Sequence, residues 1–217
     1  MHIPDGFLDI LTVVITYTIF VVYGVYALKK ARTELGAEHT VLTSVLSAGI
    51  FAAQMLNWPL PGGTSLHFVG GAVAGIILGP WLGFLSLFLV LLIQCLIFHD
   101  GGITALGANA LNMAIISVLV GFFVYRMLVK AFGTGNSVKF TGAFLGGWLG
   151  IVLAGAACGL EIGFSPAFPY GVAITVPVMV AWHALLGIVE GMITAFTILY
   201  LINKAPKYML SEKGVIV

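Results

Sequence analysis

The sequence predicts an all-α membrane protein, a seven-helix transmembrane bundle with its N-terminus outside and its C-terminus in the cytoplasm. Three observations lead there. Of 217 residues, 60% are hydrophobic and 8% charged, with a mean hydropathy of +1.13; a soluble domain of that composition would expose large apolar patches. Long Leu/Ile/Val/Phe runs are punctuated by 28 glycines; helices satisfy their own backbone groups in hydrocarbon, and glycine lets them approach closely. The third observation is the placement of charge, which sets the number of crossings.

Apolar stretches run over residues 7–28, 40–56, 66–79, 81–98, 103–129, 140–160 and 172–202, with ends good to about 2–4 residues. The third and fourth are divided at Gly79-Pro80. A single helix over 66–98 would be roughly 50 Å long against a hydrocarbon core of about 30 Å. Parity supports the division. With seven crossings and an outside N-terminus, all nine basic residues (Lys29, Lys30, Arg32, Arg126, Lys130, Lys139, Lys204, Lys207 and Lys213) fall on one face, which the positive-inside rule makes cytoplasmic. Merging the two stretches would scatter them. The expectation is one integral membrane domain over 1–217 in the cytoplasmic or inner membrane of a prokaryote. The formal net charge of +1 predicts no nucleic-acid partner.

The outer face then collects His2, Asp5, Asp9, the loop "NWPLPGGTSLH" with Asn57, Ser65 and His67, the loop "FHDGG" with His99 and Asp100, and the turn "EIGFSPAFPY". A stretch of about 14 residues covers only about 21 Å, so the loop flanking the third crossing is expected to dip below the membrane surface around a protein-lined pocket. The chain start is no conventional signal peptide, because Lys29 is the first basic residue and Asp5 and Asp9 precede it.

The opening "MHIPDG" carries the most chemistry. A histidine at position 2 offers three nitrogens in one short chelate: the Met1 amine, the His2 amide and a His2 imidazole nitrogen. The amide binds only after losing its proton, a cost that Ni(II) and Cu(II) offset in a planar field, and the fourth position of that plane suits a second imidazole. His67 and His99 lie on the correct face to supply it. Because His2 is bulky, removal of Met1 is expected to be inefficient. Pro4-Asp5-Gly6 is a turn signal that folds the terminus back, with Asp5 accepting local backbone hydrogen bonds. The plain alternatives stand beside this: His2 as a frayed terminus, His67 as a helix-start residue satisfied by backbone, and His99-Asp100-Gly101-Gly102 as an exposed turn or as the group that orients an imidazole. His39 reads as solvated. His183 and Glu190, inside the last stretch, read as satisfied polar groups or as pocket wall. Cys95 and Cys158 form no CxxC spacing and read as small buried packing residues.

"MHIPDG", "PGGTSLHFVGGAVAGIILGP" and "FHDGGITALGANALNMA", in that order, resemble the CbiM/NikM family, the substrate-specific components of energy-coupling factor nickel and cobalt transporters. The resemblance covers nearly the whole chain. It implies a six-helix core plus an additional N-terminal helix, with the metal held by Met1, the amide and imidazole of His2, and His67. Asp5, Asn57, Ser65, His99 and Asp100 would support or line the site. The cargo would be Ni(II), favoured by planar nitrogen ligation, or Co(II), with no organic cofactor.

The chain has no GxxxxGK[ST] phosphate loop, so ATP hydrolysis would come from partners. The resemblance supplies a transmembrane coupling subunit, ATP-binding cassette ATPases and room for a small accessory membrane subunit. Small-residue rows suit close helix contact, either with such a partner or within the bundle: Ser44, Ala48 and Ala52; Gly71, Gly75 and Gly79; and Gly142, Gly146 and Gly150. Other classes fit less well. HExxH, HxxxH and GxSxG are absent, which disfavours an intramembrane metalloenzyme or serine hydrolase, while a passive metal channel remains open.

Overall fold

A computed structural model of the chain describes residues 1–34 and 36–210. Lys213, one of the nine basic residues counted above, lies outside them. Helix α1 (Ile10–Glu34) is followed by α2 (Ala37–Gln54), a short hairpin of β1 (Asn57–Pro59) and β2 (Ser65–His67), and α3 (Gly71–Ile93), which runs on into a π-helical turn at Gln94–Phe98. Helix α4 (Leu106–Asn109) passes through a second π-helical turn, Ala110–Ile116, into α5 (Ser117–Phe132), and α6 (Asn136–Phe164) and α7 (Val172–Lys204) complete the bundle. Among the described residues, five stretches are long and apolar enough to cross a membrane: Ile10–Glu34, Gly71–Phe98, Leu106–Phe132, Asn136–Phe164 and Val172–Lys204.

Gly71–Phe98 is not a straight rod. Gly79 adopts φ +83 and ψ 175, which a residue with a side chain rarely adopts, and Pro80 cannot return a hydrogen bond to the preceding turn. The chain doubles back there. A methyl group on Gly83 would sit 3.1 Å from the Ala74 carbonyl and the Gly75 Cα, whereas a straight helix would hold residues nine apart at roughly 13 Å.

Two expectations are corrected here. The bundle is not purely helical, because Gly62, at φ +77, and the Leu60 N–H to Thr64 carbonyl bond of 3.0 Å close a hairpin that pairs Asn57 with His67 and Pro59 with Ser65. Helix also begins only at Gly71, not at residue 66. The intervening segment takes its hydrogen bonds from side chains: the Glu190 carboxylate accepts the N–H groups of Val69 (2.8 Å) and Gly70 (3.0 Å), and the Gln54 amide donates to the Val69 carbonyl at 2.6 Å. Backbone that leaves the helical ladder inside an apolar bundle needs such partners.

The glycine rows seal the interior. Gly71 faces Ser117 and the Met113 carbonyl, and Gly75 faces the Val118 carbonyl, on the second π-helical turn and the first residues of α5. Those two positions are therefore occupied within the bundle and are not open to a partner, as the reading of Gly71, Gly75 and Gly79 as partner-packing residues had allowed. Gly79 serves the turn. Ser44, Ala48 and Ala52, by contrast, form an exposed row on α2. Ile10, Leu11, Val14, Val22 and their neighbours on α1 are also exposed, as a lipid-facing helix requires.

Candidate metal centre

The first three residues are threaded into the bundle. Met1 and Ile3 are 0% exposed and His2 4%, an unusual burial for a chain start, and the backbone nitrogen of each of the three is hydrogen-bonded. The Ile3 amide is gripped at both ends by Asn109, whose Oδ1 accepts from Ile3 N at 2.8 Å and whose Nδ2 donates to Ile3 O at 3.1 Å; Gly102 N–H adds a bond of 2.9 Å to the same carbonyl. Asp5 does not cap its own turn as expected. It accepts instead from the N–H groups of Ile103 (3.2 Å) and Thr104 (2.7 Å) and from the Thr104 hydroxyl (2.5 Å), because the backbone entering α4 has free donors. The Thr104 hydroxyl, followed by those amides, holds the Asp5 carboxyl below its usual range.

Ser65 meets the amine. Met1 N donates to the Ser65 carbonyl and, at 2.6 Å, to its hydroxyl, which also accepts from the His2 amide at 3.1 Å. A neutral amine has two N–H bonds and one lone pair, so this arrangement leaves the lone pair free. The amine is neutral, since burial pushes it from 8.0 down to about 5.

Hydrogen bonds also fix the imidazole tautomers. His67 Nδ1–H donates to the Phe68 carbonyl at 2.8 Å, leaving Nε2 bare, buried and without a partner. His2 Nε2–H donates to Gln94 Oε1 at 3.1 Å, leaving Nδ1 as the bare nitrogen. Nδ1 is the atom that closes a six-membered ring with the His2 amide nitrogen. The two imidazoles stack with centroids 4.4 Å apart and planes 16° from parallel. Burial, then the neighbouring amine, pushes His2 down to about 3 and His67 well below the ordinary imidazole value, so both rings are neutral.

Asp100 completes the group. Its Oδ1 lies 3.2 Å from His2 Nδ1, and its Oδ2 accepts from Asn57 Nδ2 at 2.9 Å. A carboxylate oxygen facing a bare imidazole nitrogen at that distance is repulsive unless a proton or a cation lies between them. Burial raises the Asp100 carboxyl, against the pull of the amine and of Asn57.

Met1, His2, Ser65, His67, Asn57 and Asp100 are thus brought together and Asp5 ties the segment down. His99 is not part of the group: it is exposed, with φ +55, at the end of the π-helical turn. Gln94 and Asn109 were missed, although a lone amide inside an apolar run is costly unless it has work to do. Glu190, ranked below the loops, holds the backbone next to His67. Glu190→Ala should strand two buried N–H groups and lower stability by about 2–4 kcal/mol, seen as a drop in melting temperature. An unchanged melt would show those bonds to be dispensable.

Among the described residues, no three His, Cys, Asp or Glu side chains cluster as a metal ion would require. What the group gathers instead is nitrogen: the Met1 amine, the His2 amide and two buried imidazole nitrogens, His2 Nδ1 and His67 Nε2.

Residues 2–208 match the family described as CbiM, cobalt uptake substrate-specific transmembrane region. The chain is 52% identical over 206 residues to a protein of Archaeoglobus fulgidus provisionally named the fused nickel transport protein NikMN, covering 95% of this chain and 67% of that one. It is 33% identical to the fused nickel transport protein NikMN of Rhodobacter capsulatus, covering 99% and 65%, so it spans about two thirds of these fused relatives. A crystal structure of a transition metal transporter superposes with a TM-score of 0.89 at 34% identity, covering 98% of this chain and 99% of that one. The hydrogen-bonded N-terminal segment, the reversal at Gly79 and a match over nearly the full length all lead to one assignment: the chain belongs to the CbiM family of substrate-specific transmembrane regions.

Proposed function

We propose that the chain captures Ni(II) from outside the cell in a planar four-nitrogen site and delivers it inward as the substrate-binding part of an ATP-driven importer. The observation that carries this is the pair of buried nitrogens that make no hydrogen bond, His67 Nε2 and, 3.2 Å from the Asp100 carboxylate, His2 Nδ1, beside the buried neutral Met1 amine. With the His2 amide ionised, the Met1 amine, the amidate and His2 Nδ1 form two fused chelate rings, and His67 Nε2 supplies the fourth donor. Amidate and imidazole in one plane favour Ni(II) over Zn(II) or Mg(II). Low-spin Co(II) accepts the same plane and is the second cargo, in keeping with relatives named for cobalt transport.

The crossings are taken as seven, with the N-terminus outside: α2 and the division of α3 at Gly79 each add one to the five long apolar stretches. The energy comes from ATPase subunits through a transmembrane coupling subunit, with the exposed Ser44, Ala48 and Ala52 row on α2 as the packing surface offered to it. A small accessory membrane subunit is compatible with this arrangement. The test is uptake of labelled nickel by cells expressing the chain with and without its coupling and ATPase partners. Uptake that needs the partners and ATP supports the importer; equal uptake by the chain alone would make it a channel.

Binding should release protons. Above about pH 5 the amine is already neutral and only the amide proton leaves, so affinity should fall about tenfold per pH unit on acidification. Below about pH 5 the amine must lose a proton too, and the slope should steepen to about a hundredfold per unit. Calorimetry in buffers of different ionisation enthalpy counts those protons. None released at pH 7 would exclude an amidate ligand.

A further inference from the structure

We infer that His183 is a second metal-ligating station, whose Nε2 takes a coordination position from the Met1 amine as the ion leaves the N-terminal chelate. The inference rests on the chelate proposed above.

His183 is 0% exposed. Its Nδ1–H donates to the Met179 carbonyl at 2.6 Å, and Nε2 is buried with no partner. It is the third imidazole in this part of the bundle with its tautomer fixed and one nitrogen bare. Leaving such an acceptor unmet costs about 1–3 kcal/mol, and polar groups within membrane helices mark ion pathways.

Its position suits a hand-over. Met179, one turn earlier on α7, has its sulfur 4.0 Å from the Thr64 hydroxyl, and Thr64 adjoins the Ser65 that holds the amine. Gly155 on α6 leaves room for the ring: a methyl group there would sit 2.8 Å from His183 Cγ. The buried face of α7 carries Thr175, Met179, His183, Glu190 and Thr194, at spacings that hold them in one stripe along the helix. The His67 loop is tied to that stripe by Glu190.

The exchange replaces a neutral amine with a neutral imidazole. No proton moves, and the charge in the buried site is unchanged. Paired imidazoles are a borderline donor set suited to Ni(II) and Co(II) alike.

The test uses the full chain carrying a Gly-Ser-Pro extension ahead of Met1, which removes the free amine. Titration with Ni(II), followed by calorimetry and absorption, should show the planar spectrum gone and a weaker, non-planar site remaining. Adding His183→Gln should weaken that residual binding at least about tenfold, and Gly155→Ala, whose methyl displaces the ring, should do the same. Melting curves confirm that each variant is folded. Residual binding that is absent, or indifferent to both substitutions, overturns the station. A planar spectrum that survives the extension overturns the N-terminal chelate instead. In cells with the complete importer, H183Q should cut nickel uptake at least about tenfold; undiminished uptake would show that the ion does not pass this residue.

Discussion

An extension ending in proline ahead of Met1 should reduce Ni(II) affinity about a thousandfold, about 4 kcal/mol, while the helical bundle stays folded. The Met1 nitrogen becomes an amide, and the new amine moves at least one Cα step, about 3.8 Å, away. There is no space for it to return, since Met1 is 0% exposed and its nitrogen already lies against the Ser65 carbonyl and hydroxyl. Proline and length both matter. One ordinary residue would create an Xaa-Met-His start, whose amine, two amides and imidazole can enclose the ion without His67; with Gly-Ser-Pro ahead of Met1, the place of that amine is taken by an acylated proline nitrogen that has no proton to lose and cannot bind. Ligand-field absorption reports the planar site directly. Retained affinity with an unchanged spectrum would mean that the chain start is not a ligand. His39→Ala is the control, since His39 pairs with the Glu34 carbonyl at the junction of α1 and α2 and its loss should leave binding alone.

The proposed chelate can be put forward from the sequence alone because its chemistry is local: an amine, an amide and an imidazole are neighbours by covalent connection, whatever the fold. The turn at Gly79 was also legible, from a length that one helix could not fit and from the Gly-Pro pair. What was not legible was direction. Gln94, Asn109 and Glu190 each lie alone in apolar surroundings, and one sequence does not show which way a lone polar side chain faces. Only packing reveals that Gln94 selects the His2 tautomer and that Asn109 holds both ends of the Ile3 amide. Gly71 and Gly75 could not be assigned for the same reason, because a small-residue ridge has the same spacing whether it meets its own bundle, as these two do, or a partner. His99 was a fair guess from spacing, but its left-handed backbone turns it to solvent while Asp100, its neighbour, faces His2.

Tautomer control separates this site from a chance meeting of polar residues. Three buried histidines each donate from one ring nitrogen to a carbonyl oxygen and leave the other bare. A bundle needing only packing could fill those positions with leucine or phenylalanine at lower cost. Asp100 adds a carboxylate at the exposed edge, where a hydrated cation would first meet opposite charge before shedding water onto nitrogen.

His67→Ala should lower Ni(II) affinity about a hundredfold or more and barely alter stability. The chelate of Met1 and His2 would survive with water as its fourth ligand, a weaker in-plane donor than imidazole, so the absorption band should move to lower energy. Removing the ring deletes a stack at 4.4 Å and one bond to the Phe68 carbonyl, but it also deletes the buried, unpartnered Nε2. The two changes oppose each other, and the net cost should stay within about 1–2 kcal/mol. That ratio is diagnostic, because a residue retained for packing loses stability first and binding only as a consequence. Equal losses in melting temperature and affinity would assign His67 to the scaffold, and an unshifted band would place the fourth ligand elsewhere.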